Sequence, residues 1–287
     1  MLRALISAAL VLGSSAAPEQ ATVRSAATES SARTVASDVQ PSPNIDEAAE
    51  QQLLDMANQA RARAGVPPLH LDLGMTIAAR GHAEVMVQRQ QMSHQFAGEP
   101  SLPQRLAEAS SLHLDHAGEN VALDMTAEQA NEHLMLSPPH RENLLDPGYN
   151  VAGFGVIRAG ERLYVVEDFG HSLPPYTTQQ MEAAIMDSVN HRRRQARLPE
   201  FEWTPHSALR DAVCSMTHED RLGTRSMREL AQRYSLLSYA NVHPEVLPAN
   251  AARLIADRRF KSLAVGVCYA RTGTYPTGAY WVGLAFY

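Results

Sequence analysis

Apolar side chains recur at helical spacing from Glu47 to Ala64. Leu53, Leu54, Ala57, Ala60 and Ala64 share one stripe, and Gly65 with Pro67-Pro68 closes the run. Leu69-His70-Leu71 reads as a short extended piece. A second helix is expected from Leu73 to Gln91, with Met75, Ala78, Ala79, His82 and Met86 along its stripe. His82, set among these positions, reads as a packed or hydrogen-bonded core histidine rather than a ligand. A polar, proline-containing loop is expected next, carrying Ser93-His94, Pro103 and Arg105. Gly118-Glu119-Asn120 reads as a turn and Val121-Ala122-Leu123 as a short strand. Thr126 with Gln129 makes a capping-box signature that opens a helix over Ala127 to Leu136. Ser137 then resembles an N-cap, and Pro138 suits a first helical position because its missing N–H is not needed there. That starts a short helix ending near Leu145, with His140 in its first turn. Val151 to Ile157 and Leu163 to Phe169 flank a Gly-containing turn, the pattern of a hairpin.

From Thr177 the pattern starts over. Asn58-x-x-Arg61 recurs as Asn190-x-x-Arg193, an offset of 132 residues, and at the same offset Pro67 meets Pro199, Leu69 meets Phe201 and Leu71 meets Trp203. Nearer the end, Gly153-Phe154-Gly155-Val156 resembles Ala264-Val265-Gly266-Val267 at an offset of 111, so the second unit is shorter by 21 residues. Repetition of a whole supersecondary unit reads as duplication, here with two copies. The alternative is chance similarity between two helix-helix-hairpin units.

The N-terminus is patterned differently. Arg3, an apolar run from Ala4 to Leu12 and the small residues Gly13 to Ala17 form a signal-peptide pattern, residues 1–16, with cleavage expected after Ala16. The run is short of the roughly 20 residues a membrane span needs. Residues 17–44 are Ala, Ser, Thr, Pro and acid with few large apolar side chains. Such a stretch cannot offset its ordering entropy by burial, and a disordered linker is expected. Folded units are then expected at 45–173 and 177–287. Export would place Cys214 and Cys268 in an oxidising compartment, where one disulfide is reasonable; two buried thiols are the alternative.

Composition narrows the function classes only a little. The formal net charge of −6 and the absence of a long basic stripe speak against a nucleic-acid partner. His191-Arg192-Arg193-Arg194 is short, lies in a helical pattern and reads as a solvated helix face. The candidate chemistry is the trio His94, Glu119 and His140: two imidazoles and a carboxylate, suitable ligands for zinc or another divalent cation. No local zinc-motif spacing accompanies them. His140, in the first turn of a helix, meets unsatisfied N–H groups and the positive end of the dipole, which favour the neutral ring.

The ordered set Asn58-x-x-Arg61, Pro68-Leu69, Ser93-His94, Arg105, Gly118-Glu119-Asn120, Ser137-Pro138-x-His140-Arg141 and Gly153-x-Gly155-Val156 resembles the CAP superfamily. These are the cysteine-rich secretory, antigen 5 and pathogenesis-related-1 proteins, and the pattern is most similar to their bacterial secreted branch. The resemblance covers about residues 47 to 171. It implies an α+β fold, an α-β-α sandwich, here duplicated in tandem with a degenerate second copy. It also implies a cleft where histidines and acids meet, falling on His94, Glu119 and His140. Many members carry a second acid on the helix before the second histidine; that place is Ser137 here, Glu132 is no obvious substitute, and Leu134 replaces the usual aromatic. In the second copy, Ser238-Tyr239-Ala240-Asn241-Val242 answers Ala117 to Val121, with Ala240 where the acid stood, and Arg258, Arg259 and Phe260 stand where a His-Arg pair would. The same mapping sets Cys214 on the second helix and Cys268 on the first hairpin strand, elements expected to pack face to face.

Three functions follow from the resemblance and the residues. One is a secreted (periplasmic or extracellular) binding module for a small hydrophobic ligand or cell-envelope component, with or without metal. Another is a metal-assisted hydrolase using His94, Glu119 and His140, with Glu119 as base or ligand. The last is a non-catalytic envelope interaction protein. No organic cofactor, nucleic-acid partner or integral membrane segment is expected.

Overall fold

The computed structural model describes residues 44–287. The expected leader and all of the expected linker before Asn44 lie outside the described residues.

The first half is built from α1 (Glu47–Ala64), β1 (His70–Leu71), α2 (Leu73–Arg89), α3 (Leu102–Ala109), β2 (Leu114–Asp124), α4 (Ala127–Leu136), α5 (Pro138–Leu145), β3 (Val151–Ala159) and β4 (Arg162–Ser172). Its sheet runs β1-β3-β4-β2, with β1 parallel to β3 and the other pairs antiparallel, so β2 is an edge strand. Alternation along the strands feeds two layers. Ala122, Phe154, Val156, Val165 and Phe169 join α1, α4 and α5 in one core. Val121, Ile157, Tyr164 and Val166 join α2 in the other. This is an α-β-α sandwich.

Two local features fix the layers. A Cβ at Gly153 or Gly155 would overlap the backbone of Met75 or Ala79, so both glycines let α2 lie directly on β3. On the opposite face Arg61 is fully buried and donates to the carbonyls of Pro67, Leu144, Asp146 and Tyr149, tying α1 to the loop after α5. Burial lowers its pKa from the ordinary guanidinium value.

Two expectations are corrected here. The proline-containing stretch around Pro103 is not all loop: Ser101 and Gln104 form a capping box that starts α3, with proline in its first two positions, and Leu106 anchors the helix. Gly118-Glu119-Asn120 is not a turn but the middle of β2, paired with Phe169, Asp168 and Glu167.

The second half contains α6 (Thr178–Gln195), β5 (Glu202–Trp203), α7 (Ser207–Glu219), α8 (Arg225–Ala231), β6 (Ser235–Asn241), α9 (Ala251–Ile255), β7 (Ser262–Ala270) and β8 (Ala279–Phe286). Its sheet order, β5-β7-β8-β6, repeats the first with the same parallel and antiparallel pairs. Arg193 repeats the role of Arg61, donating to the carbonyls of Pro199, Ile255 and Asp257. Cys214 on α7 and Cys268 on β7 are joined by a disulfide.

The register corrects how the halves compare. Gly155 pairs with Val166, and Gly266 pairs with Gly283. Counting from these positions, Glu119 and Asp168 correspond to Leu236 and Ala285, which also face each other. Asn120 and Glu167 correspond to Leu237 and Leu284. Ala240 therefore stands opposite Trp281, four residues beyond the place of the acid.

Candidate functional site

Strand β2 sends consecutive side chains to opposite faces, and this splits the polar group Glu119-Asn120 between the two helical layers. Glu119 points to the α2–α3 side. One of its oxygens accepts from Arg105 on α3, and the other is 2.9 Å from His94 Nδ1. Asn120 points the other way: its amide donates to the His140 carbonyl at 3.0 Å and to Glu167 at 3.1 Å. Asn143, one turn beyond His140, donates to the Glu119 carbonyl at 3.2 Å and to the Asn120 side chain at 3.1 Å. The open edge of β2 is thus gripped by α5 through its backbone and by Arg105 and His94 through its carboxylate. His94 and His140 arrive from opposite layers, with ring centroids 6.3 Å apart.

His82 serves this arrangement from below. It is fully buried, as expected of a core histidine, and contacts Glu99 at 2.6 Å and the Ser93 carbonyl at 2.8 Å. That second contact pins the residue next to His94 in the chain.

The two exposed-side imidazoles are tuned apart. The hydrogen bond that His94 donates to Glu119, and the Glu119 charge, raise the pKa of His94 against its partial burial. Burial, and then the neighbouring His94, lower the pKa of His140. The two shifts are opposite in sign: the charged ring is favoured at His94 and the neutral ring at His140. Among the described residues neither His94 Nε2 nor either ring nitrogen of His140 has a hydrogen-bond partner.

Behind Glu119 lies Asp168, fully buried and directly opposite on β4. Burial first, and the Glu119 charge second, push its pKa well above the ordinary carboxylate range. Neither Asp168 oxygen has a donor among the described residues. Both influences favour the protonated acid, the form that does not repel Glu119. On the other face Glu167 is also fully buried, and burial raises its pKa to about 7 against the opposing effect of Asn120.

The structure therefore brings His94, Glu119 and His140 to one place, as the sequence suggested, but with unequal roles. Both Glu119 oxygens are committed to Arg105 and His94. Among the described residues no group of three His, Cys, Asp or Glu is placed to hold a metal ion. Asp168, Glu167 and Asn143 were not read from sequence as site residues. The available signal was Glu167-Asp168 set in the apolar run Leu163 to Phe169: adjacent acids in a buried strand must load both faces of its sheet.

Three surface pockets lie elsewhere. One of about 460 Å³ sits between α7 and α8, and one of about 420 Å³ runs along α6 beside Trp203. A third, of about 330 Å³, opens where the halves meet and is lined by Leu112, His113, Tyr176, Tyr269 and Tyr280. None of these three is lined by His94, Glu119 or His140.

Residues 54–169 match the model of the cysteine-rich secretory protein family, CAP. The uncharacterized protein YkwD of Bacillus subtilis (strain 168) is 28% identical over 119 residues, which are 41% of this chain and 46% of that protein. The uncharacterized membrane protein YlbC of the same organism is 34% identical over 128 residues, 44% of this chain and 35% of that one. Among solved structures, an extracellular protein containing a SCP domain from Bacillus anthracis str. Ames is 26% identical, with a TM-score of 0.40, over 44% of this chain and 41% of that chain. In each case the match spans less than half of the relative. Among the described residues no helix is long and apolar enough to cross a membrane.

Proposed function

With a CAP domain at residues 54–169 as the premise, we propose that the β2 edge is a binding cleft for a small amphipathic ligand with an acidic or strongly hydrogen-bond-accepting head. The observation that carries this reading is the asymmetric imidazole pair, 6.3 Å apart and unpartnered on its outer side. His94 supplies a charged donor, and its partner Glu119 fixes the ring so that Nε2 faces outward. His140 supplies a neutral nitrogen that accepts from the head group or donates to it. Met92 and Leu136, 47% and 70% exposed, lie on the segments that deliver the two histidines and offer apolar surface for a ligand's body.

For a divalent cation such as Zn²⁺ the residues supply two imidazole nitrogens. That is fewer than the three protein ligands of a catalytic zinc site. Glu119, with both oxygens engaged, is also not placed to act as a base on a bound water. We therefore assign the cleft to binding, and Zn²⁺ to weak association through His94 and His140 at most.

The signal-peptide pattern and the disulfide support a secreted protein. The shared sheet order and the paired framework arginines Arg61 and Arg193 support duplication. In this reading the second copy exchanged Glu119, Asn120, Glu167 and Asp168 for Leu236, Leu237, Leu284 and Ala285, keeping the shell and losing the polar site.

The test is solvent extraction of purified protein followed by mass spectrometry of what is released, for wild type and for a His94→Ala/His140→Ala variant. An acidic amphiphile recovered from wild type and absent from the variant supports the proposal. Equal recovery from both sinks it. A calorimetric zinc titration of the same pair should show weak binding in wild type and none in the variant.

A further inference from the structure

The two halves do not share a hydrophobic core: among the described residues every apolar cluster belongs wholly to one half or the other. What crosses between them is polar and aromatic, and it is concentrated on one segment of the first half. Arg271, just after β7, donates to three backbone carbonyls, those of Ala107, Ser110 and Leu112, each at 2.7 Å. These carbonyls lie in the last turn of α3 and the link that follows it. A helix end leaves such groups without intrahelical partners, so a planar guanidinium with five donors is well matched to them. His243, after β6, contacts Asp115 at 2.7 Å, and the other Asp115 oxygen contacts His171 at 2.7 Å. His113, between the two grips, packs its ring against Tyr269 and Tyr280 at 4.8 and 5.5 Å.

The gripped segment is the one that carries the cleft's acid and its arginine. Arg105 lies two residues before the first carbonyl that Arg271 holds, and Glu119 lies four residues beyond Asp115 on the same strand. Among the described residues the side-chain hydrogen bonds from the second half to the first come from Arg271 and His243, and both land between Arg105 and Glu119.

We infer that the C-terminal half is an intramolecular brace for the cleft, with Arg271 as its principal positioning residue. By fixing the end of α3, Arg271 holds the Arg105 guanidinium on Glu119. Glu119 in turn holds the His94 ring. The inference rests on reading His94 and His140 as the functional pair, yet it concerns geometry that exists without any ligand. It also explains why a half that lacks the acids and amides of the site keeps its own complete shell: a strut needs rigidity and two anchor points, not chemistry.

The experiment uses the full chain with Arg271→Ala and Arg271→Lys, read by amide hydrogen exchange and by the ring-nitrogen resonances of His94 at neutral pH. For Arg271→Ala, exchange over residues 106–116 should rise tenfold or more while the centres of β3 and β4 stay within twofold. The His94 Nδ1 resonance should move toward its position in a Glu119→Gln variant. Arg271→Lys, which replaces the fork by a single ammonium, should recover part of both effects. Faster exchange with an unmoved His94 resonance would reduce Arg271 to a seam contact and overturn the brace, as would no change in either. Should Arg271→Ala fail to fold, His243→Asn removes the second grip, and the same shifts are expected at smaller size. Neither readout involves a ligand or metal. A double-histidine variant that retained its ligand would overturn the binding reading and leave the brace standing.

Discussion

Glu167 offers a quantitative check on the buried polar layer. The perturbation is Glu167→Gln, which keeps the shape and mimics the protonated acid. In the fold the side chain has no exposure, one oxygen accepts from Asn120 at 3.1 Å, and the other has no partner. Burial raises its pKa from an ordinary 4.5 to about 7. At about 1.36 kcal/mol per pH unit, keeping the ionised carboxylate in the fold costs about 3 kcal/mol. The folded value lies above the unfolded one, so between pH 4.5 and 7 the native state holds a proton that the unfolded chain has released. This contribution to stability is complete below that window, declines as pH rises through it and levels off above pH 7. Glutamine has no such term. Urea unfolding followed by far-ultraviolet circular dichroism should therefore show the variant close to wild type near pH 4.5 and more stable by about 3 kcal/mol at pH 8. Asp168 adds its own pH dependence to both proteins and cancels in the difference. A variant less stable by the same amount at every pH would refute the reasoning, because it would make Glu167 an ordinary ionised partner of Asn120.

Other consequences follow from the packing. Gly155→Ala places a Cβ against the backbone of Ala79, which cannot give way as a side chain would, and should cost about 1–3 kcal/mol or more in a urea melt. Reducing the disulfide, which closes a sequence separation of 54 residues, should remove about 4 kcal/mol. Because the cores are separate and both tryptophans, Trp203 and Trp281, lie in the second half, tryptophan fluorescence should report an earlier transition than circular dichroism of the whole chain. Coincident transitions before and after reduction would show that the halves unfold as one. Glu119→Gln removes the largest influence raising the pKa of His94, and its titration by nuclear magnetic resonance should fall toward the ordinary value of about 6.5.

Most helices were legible because their signals are local. Asp46 and Thr126 accept from the third residue of α1 and α4, and Gly65 closes α1 in a left-handed conformation. The expected spans of α1 and α4 agree with the observed ones. α3 was hidden because Pro103 reads as loop punctuation, although proline in the first turn of a helix costs no hydrogen bond. β2 was shortened because Gly118, Glu119 and Asn120 suit a turn. What holds them in a strand is tertiary: pairing with β4, Asn143 on the Glu119 carbonyl, and the Tyr149 hydroxyl in the space a Cβ at Gly118 would need. The same limit explains the four-residue slip in matching the second half. A strand displaced by an even number keeps its faces, so short similarity around Ala240 could not fix the register that hydrogen bonding with β8 fixes. His94 and His140 could be singled out as candidates because a histidine in a polar loop and one in a first helical turn have chemistry that does not depend on register. The burial that sets Asp168 and Glu167 apart is a property of the assembled sheet.

We propose that His94 and His140 form one binding edge with unequal protonation. The most direct test of this is a pH titration of both rings by nuclear magnetic resonance, with and without dodecanoate as a probe carrying an acidic head. His94 should titrate above, and His140 below, the ordinary imidazole value of about 6.5. Dodecanoate should raise the His94 value further. Two rings titrating together, or a probe that perturbs neither, would contradict the proposal.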